Sequence, residues 1–118
     1  MAKVLVVDDA AFMRVRLSSL LRQAGHQVVE ASNGVEAVEA YEAEKPDLVF
    51  MDITMPEMDG LEALRRLRAS DPEARVVMCT ALGQQSMVIE AIKSGARDFI
   101  VKPFQPDRVL QAVQKWVP

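Results

Sequence analysis

The chain is poor in the side chains that build disulfides and zinc or copper sites: one cysteine and one histidine among 118 residues. A lone Cys79 excludes a disulfide within the chain, and in the apolar run Val76-Val77-Met78-Cys79 it reads as a core thiol of a reducing compartment. With Cys79 inside a predicted strand and His26 in a turn after the first helix, no zinc or copper site can be assembled. His26 is expected to be an ordinary solvated turn residue. Aromatic residues are scarce at 5%, against 50% hydrophobic residues, which suits an aliphatic α/β core better than a disulfide scaffold or a disordered tail. A basic stripe is missing too: 14 basic residues stand against 17 acidic ones, a net charge of -3, and this argues against direct nucleic-acid binding. The apolar run near the N-terminus, Val4 to Val7, is far too short for a signal peptide or a membrane span, so a cytoplasmic protein is expected. The length suits one domain spanning 1–118, and no repeat, linker or low-complexity segment interrupts it.

What the chain does have is short aliphatic runs alternating with helical patterns. Lys3 to Val7 is a β-branched run that empties into Asp8-Asp9. Phe12, Leu17, Leu20, Leu21 and Ala24 follow a helical pattern until Gly25 stops it. Gln27 to Ala31 predicts a short strand, Ser32-Asn33-Gly34 a turn, and Val35, Ala37, Val38 and Tyr41 a second helix reaching Pro46. The third strand is Leu48-Val49-Phe50-Met51, running straight into Asp52 ahead of the turn residues Pro56 and Gly60. Leu61, Leu64 and Leu67 carry a third helix closed by Ser70-Asp71-Pro72, and Arg75 to Cys79 is a fourth strand delivering Thr80-Ala81. Gln85 to Ser94 is a fourth helix stopped by Gly95, Asp98 to Val101 a fifth strand delivering Lys102-Pro103-Phe104, and Asp107 to Trp116 the last helix. Such alternation predicts an α/β domain whose five-stranded parallel sheet is covered on both faces.

A parallel sheet gathers the C-terminal ends of its strands along one edge. Here that edge collects Asp8-Asp9, Asp52, Thr80 and Lys102. Taken singly, each could be a cap or turn residue. Together, four strand ends carry complementary chemistry. Three crowded carboxylates raise one another's pKa unless positive charge sits among them. Lys102 supplies one charge, and a divalent cation would supply the rest; Mg²⁺ fits a site built of carboxylates and carbonyls and shares its shell readily with a phosphate. Around such a point the natural reaction is phosphoryl transfer to the carboxylate nucleophile.

Asp8-Asp9, Met51-Asp52 with Met55-Pro56 and Asp59-Gly60, Thr80-Ala81 and Lys102-Pro103-Phe104, in this order and spacing, resemble the receiver domain of two-component response regulators over essentially the whole chain. The resemblance implies a doubly wound, three-layer, flavodoxin-like sandwich with strand order 2-1-3-4-5. It implies Asp52 as phospho-acceptor and Asp8 and Asp9 as organisers of Mg²⁺, with the Thr54 backbone carbonyl and Asp52 completing the protein ligands. Thr80 and Lys102 would each engage a phosphoryl oxygen, and the Lys102-Pro103 bond is expected to be cis. Such a protein is no enzyme in the usual sense, since it catalyses only its own phosphorylation and dephosphorylation.

Receivers resemble two-state devices in which a hydroxyl residue moves toward the phosphoryl group and an aromatic on the fifth strand turns inward; the matching residues are Thr80 and Phe99, with plain core packing the alternative for Phe99. Met87, Val88, Ile89, Ala91 and Ile92 carry more apolar surface than one sheet-packed helix face needs, so part of the fourth helix should face solvent as a partner surface. Met87, Val88, Ala91 and Phe99 are the expected members of that surface, formed by the fourth helix, the fifth strand and the last helix, and Phe12 and Met13 mark the region where receivers meet a histidine kinase or phosphotransfer donor. Thr54 and Leu82, two residues after Asp52 and Thr80, would flank the path of an attacking water; Leu82 offers it no hydrogen bond, so self-dephosphorylation is expected to be slower than in a Leu82→Glu or Leu82→Asn variant.

Within the family the chain is most similar to the stand-alone chemotaxis regulators, notably in Asp8 to Arg14, Met51 to Pro56 and Gln84 to Pro106. That likeness implies a monomer with a CheA-type sensor histidine kinase as phosphodonor, the flagellar motor switch or another downstream protein as target, and room for a dedicated phosphatase. The alternatives are a receiver cut from a longer regulator, a phosphorelay shuttle and, from another class, a haloacid-dehalogenase-like phosphatase. The last needs an Asp-x-Asp nucleophile after its first strand, and Asp8-Asp9 lacks that spacing. In a flavodoxin-like flavin carrier the acidic loop after the first strand would repel the flavin phosphate.

Overall fold

Strands β1 (Lys3–Val7), β2 (Gln27–Ala31), β3 (Leu48–Asp52), β4 (Val76–Thr80) and β5 (Asp98–Val101) alternate with helices α1 (Ala11–Gln23), α2 (Gly34–Glu44), α3 (Gly60–Ser70), α4 (Gln85–Lys93) and α5 (Pro106–Trp116) in a computed structural model. It describes residues 2–81 and 83–117, so the expectation attached to Leu82 lies outside the described residues. All strand pairs are parallel, in the order β2-β1-β3-β4-β5.

Strand side chains alternate between faces, which divides the core in two. Val4, Val6, Leu48, Phe50, Val77 and Ile100 meet α1 and α5 through Leu17, Leu21, Val109 and Val113. Leu5, Val7, Val49, Met51, Val76 and Met78 meet α2, α3 and α4 through Ala37, Ala63, Leu64 and Ala91. Helices on both faces leave the central strands no solvent side, the physical reason they read as unbroken apolar runs.

Element ends differ from the sequence reading by one or two residues, each for a local reason. Pairing in β4 reaches Thr80 because Lys102 N–H donates to its carbonyl at 2.7 Å. Gly34, placed in a turn by sequence, opens α2 because Asn33 Oδ1 caps the helix by accepting from Glu36 N–H at 2.8 Å. Pro106 occupies the first turn of α5, where its missing N–H costs nothing. His26 is no idle turn residue: it is half-buried, and its Nδ1 accepts the Ala2 N–H at 3.1 Å, tying down the start of β1. Asp98 accepts from Arg108 at 2.9 Å and from Trp116 Nε1 at 3.2 Å, which fastens α5 to the edge strand.

Tyr41 Oη donates to Asp71 Oδ2 at 2.7 Å, bridging α2 to the end of α3. Burial, then the bond to Asp71, raises the Tyr41 pKa above its ordinary value. Tyr41→Phe is expected to cost about 1 kcal/mol in urea denaturation, the net worth of one such bond; an unchanged midpoint would show that water replaces it. No helix among the described residues is long and apolar enough to cross a membrane.

Candidate functional site

The register fixes which strand ends become neighbours. Val7 pairs with Met51 as the last β1–β3 partners, so Asp8 and Asp52 emerge side by side one step further on. Two-residue periodicity puts Asp8 on the face of Val6 and Asp52 on that of Phe50, and Lys102, two after Ile100, rises toward both. The Lys102 ammonium lies 2.7 Å from Asp8 Oδ2 and 3.1 Å from Asp52 Oδ1. Asp8 Oδ1 accepts the Ala10 N–H at 2.9 Å, and Arg14 Nη1 donates to the Asp8 carbonyl at 2.7 Å while its Nε reaches Glu30 at 3.1 Å. The start of α1 is thereby locked to the acid pair. Asp9 stays exposed at the rim.

One carboxylate oxygen from each of Asp8, Asp9 and Asp52 lies within 4.8 Å of the others. Burial pushes Asp52, which is 8% exposed, up to about 6; Lys102 opposes the shift, and Asp8 and Asp9 reinforce it. Lys102 is held above its usual range although burial disfavours the ammonium, because its hydrogen bond to Asp8 and the charge of Asp52 outweigh that penalty. One ammonium against three carboxylates leaves the ionised cluster two negative charges in excess. An all-oxygen donor set with excess negative charge suits a hard divalent cation. Cys79 adds no soft ligand, since burial raises its thiol to about 12 and keeps it neutral.

Thr80 is buried at the end of β4, and its hydroxyl is hydrogen-bonded toward the start of α4, with no bond to Asp52 among the described residues. It donates to Gln84 Oε1 at 2.8 Å and lies 3.1 Å from the Ala81 carbonyl. Gln84 Oε1 also accepts the Ala81 N–H at 2.8 Å, and Gln84 Nε2 donates to Thr54 Oγ1 at 2.7 Å. Sequence reasoning assigned no role to Gln84. The available signal was an amide four residues after Thr80, at the point where a helix begins. The Lys102-Pro103 bond is cis, as expected.

The apolar surfaces require corrections. Ala91, expected on the partner surface, is 1% exposed and packs into the core beneath α4, while Met87 is half-buried against that core. Val88, also half-buried, does border the groove that runs past Phe99. The residues that face outward are Ile89, 56% exposed, and Ile92. The core takes the face of α4 that carries Ala91, with Met87 and Val88 at its border, and Arg65 on α3 reaches Glu90 and Ser94, each at 3.3 Å, along the exposed edge of that contact. On α1, Phe12 is 74% exposed as expected, but Met13 packs partly into the core. Phe99 is 40% exposed and thus not plain core; it lies with Ile89, Ile92 and Val101 along a groove of about 640 Å³ that extends to Thr80 and Gln84.

Comparison with known proteins places this geometry. Residues 4–114 match the model of the response regulator receiver domain. The chain is 60% identical over 116 residues to the chemotaxis protein CheY of Listeria monocytogenes, covering 98% of each, and 60% identical over 114 residues to CheY of Bacillus subtilis, covering 96% of this chain and 95% of that one. Among solved structures, the receiver domain of NtrX from Brucella abortus superposes with a TM-score of 0.91 at 35% identity, covering 95% of each chain. A strand-end acid cluster bridged by one lysine, carried on this sheet order and matched by that model across nearly its full length, makes the chain a member of the response regulator receiver family.

Proposed function

We propose that the protein is a cytoplasmic response regulator of the chemotaxis type, which accepts a phosphoryl group on Asp52 and passes the signal through the α4-β5-α5 surface. The observation that carries this reading is the convergence of Lys102 on both Asp8 and Asp52, with Asp9 completing the carboxylate cluster. In the transfer, an Asp52 carboxylate oxygen forms a bond to phosphorus as the bond from phosphorus to the donor histidine nitrogen breaks. The electron pair of that bond returns to the imidazole, which takes up a proton. Hydrolysis by water later restores the carboxylate and releases inorganic phosphate, so the protein acts only on its own side chain and is not an enzyme with a separate substrate.

Asp52 serves as nucleophile in its ionised form, which predominates above pH 6, the value to which burial raises it. Lys102, already between two carboxylates, pairs with a phosphoryl oxygen as charge arrives, and the Thr80 hydroxyl donates to another. Asp8, Asp9, Asp52 and the Thr54 carbonyl would hold Mg²⁺, which when bound neutralises charge on the transferring group. The exposed Phe12 at the start of α1 is the docking point for a CheA-type histidine kinase. The groove bordered by Ile89, Ile92 and Phe99 receives the downstream protein, the flagellar motor switch in a chemotaxis pathway. Likeness at 60% identity to proteins named CheY supports this branch of the family.

Incubation with acetyl phosphate and Mg²⁺, read by intact mass, is expected to give a single phosphoryl adduct, and none when Mg²⁺ is chelated. An adduct that forms equally well without the metal would remove the cation from the proposal; no adduct under any condition would reduce the protein to a phosphorylation-independent binding module.

A further inference from the structure

Gln84 sits at the N-cap of α4, yet its side chain makes no cap hydrogen bond. It reaches back into the β4–α4 loop instead. The orientation of its amide is fixed by its partners: the Ala81 N–H can only donate, so the atom facing it must be the oxygen, and that same oxygen takes the Thr80 proton. The nitrogen is then left to donate across to Thr54, thirty residues earlier in the chain. One side chain thus links the loop after β3, the end of β4 and the start of α4.

A hydroxyl has one proton to give. While Thr80 donates to Gln84, it cannot donate to a phosphoryl oxygen on Asp52. Resting on the phospho-acceptor reading above, we propose that Gln84 is a positioning residue, which holds the Thr80 hydroxyl away from Asp52 and so sets the affinity of the site for a phosphoryl group. Occupation of the site draws the Thr80 proton away from Gln84. The released amide keeps Ala81 but loses its grip on the strand end. Thr80 and Gln84 both border the groove shared with Phe99 and Val101, so this exchange of one hydrogen bond carries the event at Asp52 to the wall of the groove.

The test uses beryllofluoride, a phosphoryl mimic, titrated at fixed Mg²⁺ and followed by fluorine NMR of the bound species. Removing Gln84 leaves the Thr80 hydroxyl only the more distant Ala81 carbonyl, 3.1 Å away, as a competing acceptor, so Gln84→Ala and the length-conserving Gln84→Met are each expected to bind beryllofluoride about fivefold more tightly, the effect of one net hydrogen bond. Because Gln84 also donates to Thr54, whose carbonyl is a proposed metal ligand, the titrations are run at saturating Mg²⁺, with saturation checked by calorimetry for each variant. In a Thr80→Ala background the Gln84 substitutions should have no further effect, because the two act through one bond. Wild-type affinity in both Gln84 variants, or an equal gain with and without the Thr80 hydroxyl, would overturn the inference while leaving the phospho-acceptor reading in place. A wild type that gives no bound fluorine signal would overturn that reading and this inference with it.

Discussion

Asp52→Asn is expected to take up no phosphoryl group from acetyl phosphate, and in metal-free buffer above pH 7 to be more stable than the wild type by about 2 kcal/mol. Uptake is lost because the amide has no nucleophilic carboxylate oxygen, and stability is gained because a buried charge is removed. The carboxylate is buried beside Asp8 and Asp9, and this raises it to about 6 against the combined pull of Lys102. Between the unfolded value of 3.8 and the folded value near 6, the native protein binds the Asp52 proton more tightly than the unfolded chain does. Stability from this group is therefore complete below pH 4, falls as pH rises, and is fully lost above pH 6. Raising a carboxyl this far corresponds to about 3 kcal/mol, which relaxation of the site reduces toward 2. Asn keeps the shape, leaves Lys102 its bond to Asp8 and has nothing to ionise. Urea denaturation at pH 5 and pH 8 should show a loss for the wild type that the variant lacks, and Mg²⁺ should restore the wild type alone. Parallel pH profiles would mean that the cluster relaxes enough to accommodate its charge.

The acid cluster was legible in the sequence because the site is built from strand ends. Buried parallel strands read as apolar runs, and an acid or a lysine at the end of each run marks where the sheet edge begins. Period-two alternation alone then puts Asp8, Asp52 and Lys102 on one face. The rotation of α4 was not legible. Apolar residues at 87, 88, 89, 91 and 92 cover more than one face, and periodicity alone cannot say which of them the sheet takes. Ala91 turns inward where its small side chain lets α4 settle on the core made by other elements, a fit that periodicity within the helix does not reveal. Gln84 escaped notice for a related reason. Its bonds to Thr80 and Thr54 exist only once two loops far apart in sequence have closed on each other, and nothing in a linear pattern announces a side-chain amide that declines to cap its own helix. The acceptor for the Ala2 N–H on His26 likewise depends on where the chain start meets the α1–β2 turn.

Gly60→Ala should be the most disruptive single-methyl change in the chain, costing about 3 kcal/mol and slowing phosphoryl uptake more than tenfold, although the residue lies outside the acid cluster. Gly60 opens α3, with Asp59 Oδ1 capping Glu62 N–H at 2.9 Å, and its own N–H donates to the Ile53 carbonyl at 2.7 Å. That bond draws the helix start so close to β3 that a Cβ would collide with the Asp52 carbonyl oxygen and crowd the Ile53 Cα. These are backbone atoms, and no rotamer change clears them. Either α3 lifts, exposing Ala63, Leu64 and Leu67, which are fully buried, or the peptide carrying Asp52 shifts relative to Lys102 and Asp8. Gly25→Ala separates steric from conformational cost, since Gly25 has open space around it but a φ of +93°. It should lose about 1 kcal/mol through backbone strain and leave Mg²⁺ affinity and phosphoryl uptake unchanged. Equal effects from the two substitutions would sink the steric account. A large stability loss with wild-type uptake in Gly60→Ala would show that α3 yields and the Asp52 peptide holds its place, so that the sheet, and not the helix behind it, positions the nucleophile.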